Sequence, residues 1–101
     1  MRLVGICQYD GSNFSGFQSQ KNAKSVQDVL ESAISSVGKL NGRINYAGRT
    51  DAGVHATRQI FDFSSNDFRE IKQWMNGVNS ALPNDVSVTA LQEASDSFHS
   101  R

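Results

Sequence analysis

The sequence predicts an α+β domain in which four strands form one antiparallel sheet and two helices cover a single face of it. Three observations point there: two stretches with apolar residues at helical spacing, four shorter stretches of strand character, and their order along the chain. That order is strand, helix, strand, strand, helix, strand. A chain of 101 residues has the size of one domain, and it can bury roughly 60 to 70 per cent of its unfolded surface.

The first strand, RLVGICQY at 2–9, carries apolar groups on both alternating faces, which suits a central strand better than an edge strand. The following segment, DGSNFSGFQSQKNAK, is a loop by its Gly, Ser and Asn content. Val26, Val29, Leu30, Ala33, Ile34, Val37 and Leu40 then repeat at the spacing of one helix face. Ser25 and Asp28 form a capping box at its start, and Gly38 stands where the helix should end. GRINYAG alternates Ile44 and Tyr46 with Arg43 and Asn45, and QIFDFS repeats the alternation with Phe61 and Phe63, so two strands flank the segment between them. Phe68, Ile71, Trp74, Met75, Val78 and Leu82 mark a second amphipathic helix, with Asp67 and Glu70 as its capping pair and Pro83 as its stop. DVSVTALQ supplies the fourth strand through Val86, Val88 and Ala90. This is the split βαββαβ order of ferredoxin-like domains, in which the sheet face away from the helices is left open for a partner or ligand. Many unrelated functions use that topology, so function has to be argued from a site.

Composition narrows the choices. Hydrophobic residues make up 38% and charged residues 20%, with a single Pro, as in folded soluble proteins rather than disordered or fibrous ones. Ten Lys and Arg balance ten Asp and Glu, so any polyanion site must be local rather than global. MRLVGICQYD is too short and mixed for a signal peptide, and no apolar run approaches the roughly 20 residues of a membrane span. A cytoplasmic protein without membrane association is expected. The single cysteine, Cys7, reads as a small buried side chain in an apolar strand. With two histidines and no Cys or Glu cluster beside them, no metal site is expected.

The segment AGRTDAGVHA, 47–56, is longer than the two to five or so residues a hairpin turn needs. Asp51 is ionised at neutral pH and is competent as nucleophile, base or salt-bridge anchor; Arg49 favours the charged form and can bind phosphate bidentately. Gly48 and Gly53 permit close approach of a bulky substrate. No Ser or Cys nucleophile is paired with His55 in a hydrolase motif. On spacing alone, an exposed Arg49–Asp51 ion pair worth at most about 1 kcal/mol, with Gly48 and Gly53 merely shaping the loop, is the favoured reading. In QYDGSNFSGFQSQKNAKSVQ, Tyr9, Phe14 and Phe17 sit among Lys21, Lys24 and the amides of Gln18 and Gln20, a mixture suited to splayed-out RNA bases. Packing of Tyr9 and Phe17 beneath the loop is the competing reading.

AGRTDAGVHA resembles the catalytic motif of the TruA family of tRNA pseudouridine synthases. Three further segments agree in order: YDGSNFSGFQSQ resembles the family's YDG-x-x-x-x-G-x-Q signature, SVQDVLESAI the helix after it, and GVNSALPNDVSV its asparagine and LP-x-D segment. Phe17 stands where many members carry tryptophan. The resemblance implies isomerisation of uridine to pseudouridine in the tRNA anticodon arm, with Asp51 as the catalytic aspartate and no metal or nucleotide cofactor. Arg49 matches the motif arginine and is the best candidate to hold the flipped nucleotide. Gln18, Lys21, Lys24, His55 and Arg58 are further candidates for RNA contact, with a solvated surface role open for each. Family enzymes are homodimers with a second ferredoxin-like half that completes the cleft, and DSFHSR resembles their FHAR segment near the junction. Residues 1–101 are accordingly expected to form the N-terminal, aspartate-bearing domain, inactive without the C-terminal half. The competing class is a non-catalytic RNA-binding ferredoxin-like module, which would present aromatics such as Phe61 and Phe63 on the open sheet face. An acylphosphatase-like hydrolase would need a phosphate-binding loop and a positioned Asn, neither of which is identifiable.

Overall fold

The computed structural model describes residues 1–10, 25–46 and 57–95. The chain runs β1 (Arg2–Tyr9), α1 (Val26–Ser35), β2 (Leu40–Tyr46), β3 (Thr57–Ser65), α2 (Ile71–Ala81) and β4 (Val86–Ala94). The strands form one antiparallel sheet in the order β2-β3-β1-β4. This is the predicted ferredoxin-like arrangement, and β1, apolar on both faces, lies between β3 and β4.

Alternation along the strands sorts their side chains. Leu3, Cys7 and Tyr9 of β1, Ile44 of β2, Phe61 and Phe63 of β3 and Val86 and Val88 of β4 are buried with Val26, Leu30, Ala33 and Ile34 of α1 and Trp74 and Val78 of α2. Both helices therefore cover one face. Phe61 and Phe63 stack with centroids 6.2 Å apart, and Phe63 meets Trp74 edge-on at 5.3 Å. Gly5 lies opposite Phe61. A Cβ there would come within 2.9 Å of the Phe61 ring and 2.8 Å of the Ala90 carbonyl, so the ring needs a residue without a side chain beneath it.

Helix α1 begins as predicted. Ser25 is its N-cap, with Oγ accepting the Asp28 N–H at 3.2 Å and donating to Asp28 Oδ2 at 2.9 Å. Its end differs from the apolar stripe: the helix stops at Ser35, Val37 lies beyond it and Leu40 already opens β2. The N–H groups of Ser36, Val37 and Gly38 fold back onto carbonyls of Ser32, Ala33 and Ile34. Gly38 serves close packing, since a Cβ there would sit 2.8 Å from the Trp74 ring.

Helix α2 starts at Ile71, so Phe68 precedes it and is 71% exposed rather than part of its buried face. Glu70 is the N-cap, and its N–H donates to Gln73 Oε1 at 3.1 Å. Asp67 does not cap the helix; its Oδ2 accepts the Lys39 N–H at 2.7 Å and ties the α1–β2 turn to the chain after β3. Pro83 follows the helix end as expected. In β4 the register against β1 slips between Ile6 and Cys7, leaving Thr89 as the extra residue. The slip turns Ala90, opposite Ile6, out to the open face, where it is exposed.

Both sheet edges are met by helix side chains. Glu31 Oε2 of α1 accepts the Ile44 N–H of β2 at 3.0 Å, while Asn79 of α2 donates to the Val88 carbonyl at 3.0 Å and accepts its N–H at 2.7 Å. Backbone groups that an edge strand leaves open are thereby satisfied within the domain.

Candidate active site

The topology gathers three connections at one end of the sheet. Tyr9, the last residue of β1, lies opposite Thr57, the first of β3, and Val86, the first of β4. The stem of the segment after β1 therefore adjoins the stem of the segment before β3. The Asp10 N–H donates to the Asp85 carbonyl at 3.0 Å, which joins the YDG and LPND stretches. A polar crevice of about 340 Å³ opens there, lined by Gln8, Tyr9, Asp10, Asn84, Asp85 and Ser87.

Of the residues singled out in the sequence, Arg58 lies in β3 beside this end, exposed and opposite Gln8. Gln18, Lys21, Lys24, Arg49, Asp51 and His55 lie outside the described residues, as do Phe14 and Phe17. Tyr9 is 2% exposed and belongs to the core, so it is a packing residue and not a stacking surface for a base. Cys7 is buried as expected, and burial pushes its thiol up to about 12, outside the range of a reactive thiolate at neutral pH. Among the described residues no three His, Cys, Asp or Glu side chains are grouped to hold a metal, and no helix is long and apolar enough to cross a membrane.

The open face carries Arg58, Ile60 and Asp62 of β3 and Val4 and Ile6 of β1, the residues alternating with the buried set. Val4, Ile6, Ile60, Ala90 and Gln92 line a shallow, mainly aliphatic groove of about 320 Å³. Phe61 and Phe63 are each 1% exposed beneath the helices. Their burial removes the aromatic platform that a recognition-motif type of RNA-binding sheet requires.

Sequence reasoning passed over a polar cluster on this face. Asp62 is fully buried, although its neighbours in sequence are the two core phenylalanines. Its Oδ1 accepts Asn45 Nδ2 at 2.9 Å and also receives the Arg2 guanidinium. The available signal was the aspartate itself, a residue type depleted in strands, standing in the middle of QIFDFS. On the helix side, Arg43 reaches Glu31 Oε1 at 2.9 Å and Asp28 Oδ1 at 3.0 Å. The Glu31 hydrogen bond, reinforced by the charges of Glu31 and Asp28, raises the Arg43 guanidinium above its ordinary value.

A family model described as tRNA pseudouridine synthase matches residues 6–101, and the chain belongs to that family. Its curated relatives include proteins named tRNA pseudouridine synthase A. The one from Francisella tularensis subsp. holarctica (strain FTNF002-00 / FTA) is 45% identical over 94 residues, covering 93% of this chain and 36% of the relative. Those from Aromatoleum aromaticum and Aliivibrio salmonicida are 48% and 43% identical over the whole chain and 38% of their own length. The chain thus spans little more than a third of the length of the relatives it matches.

Proposed function

We propose that this chain is the N-terminal, nucleophile-bearing domain of an enzyme that isomerises uridine to pseudouridine in the anticodon arm of tRNA, with Asp51 as the catalytic aspartate. The observation that carries the reading is the family match over residues 6–101, which includes the whole of AGRTDAGVHA. The reaction breaks the N-glycosidic bond, turns the uracil and rejoins it to the ribose through carbon 5. The product is an isomer of the substrate, so the overall change requires no oxidant, reductant or hydrolytic water. The Asp51 carboxylate serves by adding to C6 of the base, by attacking C1′ of the ribose, or by assisting a glycal route. A stacked uridine must first be extruded, at a cost of a few kcal/mol. Arg49 holds the flipped nucleotide through stacking and phosphate hydrogen bonds.

Gln18, Lys21, Lys24, His55 and Arg58 contribute RNA contacts. The exposure of Arg58 at the end of the sheet where the connections gather supports its place in that set. In this reading the enzyme is a cytoplasmic homodimer, and the remaining length found in the relatives supplies the other wall of the cleft. The domain alone therefore does not turn over. Burial of Phe61 and Phe63 weighs against the alternative of a non-catalytic sheet-face RNA binder. In the complete enzyme, Asp51→Asn is expected to abolish pseudouridine formation while tRNA affinity stays within about threefold; normal turnover by that variant would sink the reading.

A further inference from the structure

The end of β2 is held in an unusual way. Its ladder to β3 consists of two separate patches, Leu40 and Asn41 with Ser65 and Ser64, then Asn45 and Tyr46 with Asp62 and Phe61, with an irregularity between them. Gly42, at φ +69°, lies in that irregularity. The last two residues of the strand are thus cut off from the continuous ladder, and a short terminal pairing of this kind opens readily unless side chains fasten it. Two carboxylates do so. Glu31 accepts the Ile44 N–H from the helix side, and Asp62 accepts Asn45 Nδ2 on the open face. The same Asp62 oxygen receives Arg2 of β1, so one buried carboxylate joins β1, β2 and β3.

A buried ion pair is a poor source of net stability, because desolvation offsets much of the attraction; its best-attested contribution is to fix register. The register fixed here belongs to the residues directly before segment 47–56. Resting on the proposed role of Asp51, we infer that Asp62 is a positioning residue for catalysis: by holding Asn45 against β3 and Arg2, it fixes the strand end from which the Asp51-bearing segment departs. Asp62 does not contact the substrate. Its loss changes how often the segment starts from the productive register and leaves the RNA-binding surface in place.

The test is carried out in the complete enzyme with single-turnover and steady-state kinetics on tRNA. Asp62→Ala and Asn45→Ala are each expected to lower kcat about tenfold with KM within about twofold. The double variant should lose little more than Asp62→Ala alone, since Asn45→Ala removes a bond that Asp62→Ala already removes. The exchanged pair, Asp62→Asn with Asn45→Asp, restores a carboxylate–amide bond between β2 and β3 without the carboxylate that pairs with Arg2, and should recover part of kcat relative to Asp62→Ala. Asn45 is partly exposed, and its truncation gives a folded readout should Asp62→Ala not fold. Unchanged kcat in Asn45→Ala, fully additive losses, or a change in KM alone would overturn the inference. Asp51→Asn is assayed in parallel. If it retains turnover, the catalytic reading of the segment has failed; if it is inactive while Asn45→Ala is normal, only the role of Asp62 has failed.

Discussion

The two faces of the sheet are made from the same strands, residue by residue in alternation, yet they are built on different principles. The helix-covered face is aromatic and closely packed, with Phe63 against both Phe61 and Trp74 and Phe61 over Gly5. The open face is aliphatic and shallow along Val4, Ile6 and Ile60, and its one buried charge, among the described residues, is paired with Arg2 of β1 and hydrogen-bonded by Asn45 of β2. Burial area makes the first face the source of stability. Directed hydrogen bonds make the second a source of register, and its Arg58 end adjoins the stems of the segments that carry the proposed chemistry.

That contrast can be broken at several strengths. The largest effect is expected from Trp74→Ala, which empties the centre of the helix-covered face; a loss of about 3 to 5 kcal/mol in denaturant unfolding is anticipated. A change below 1 kcal/mol would show that this face is not the main store of stability. A smaller effect should come from pH at the same face. The folded pKa of Cys7 is raised from its ordinary 9.0 to about 12 by burial, so the folded state holds the proton more tightly than the unfolded chain. Its contribution is fully present below about pH 9 and is lost as pH rises toward 12. By about pH 10 the loss amounts to about 1.4 kcal/mol. Comparing unfolding at about pH 8 and 10 for the native protein and Cys7→Ala checks this, since only the former should show that component. The smallest effect is expected on the open face: Ile60, 46% exposed, should tolerate Ile60→Thr within about 1 kcal/mol. A larger loss would mean that the groove is covered in the folded molecule.

The helix and strand periods were legible because they are local. Ser25 with Asp28, the alternation of Ile44 with Arg43 and Asn45, and the double-sided apolar pattern of β1 each state their structure within a few residues. The misreadings also have local causes. Leu40 fits the helical stripe of α1 and the first position of β2 equally well, and its pairing with Ser65 of β3 places it in the strand. Phe68 fits the period of α2, but the helix starts only at Ile71 with Glu70 as its N-cap, while Asp67 accepts the Lys39 N–H instead of capping it. Arg58 was legible as an exposed cation beside a loop. Asp62 was not legible as a hub, because its partners are chosen by strand order and register.

The sequence by itself determined the order of elements, most of the side chains destined for the core and the AGRTDAGVHA motif to which the proposed role of Asp51 is tied. Only the tertiary structure decided that Phe61 and Phe63 lie under the helices while Asp62 takes Asn45 from one neighbouring strand and Arg2, 60 residues away, from the other. The physical reason lies in the range of the interactions. Helical and strand periods arise from backbone geometry within a few residues, whereas the partner of a buried carboxylate is fixed by cross-strand register. In this sheet that register turns on bulges at Thr89 and around Gly42, which no local propensity specifies.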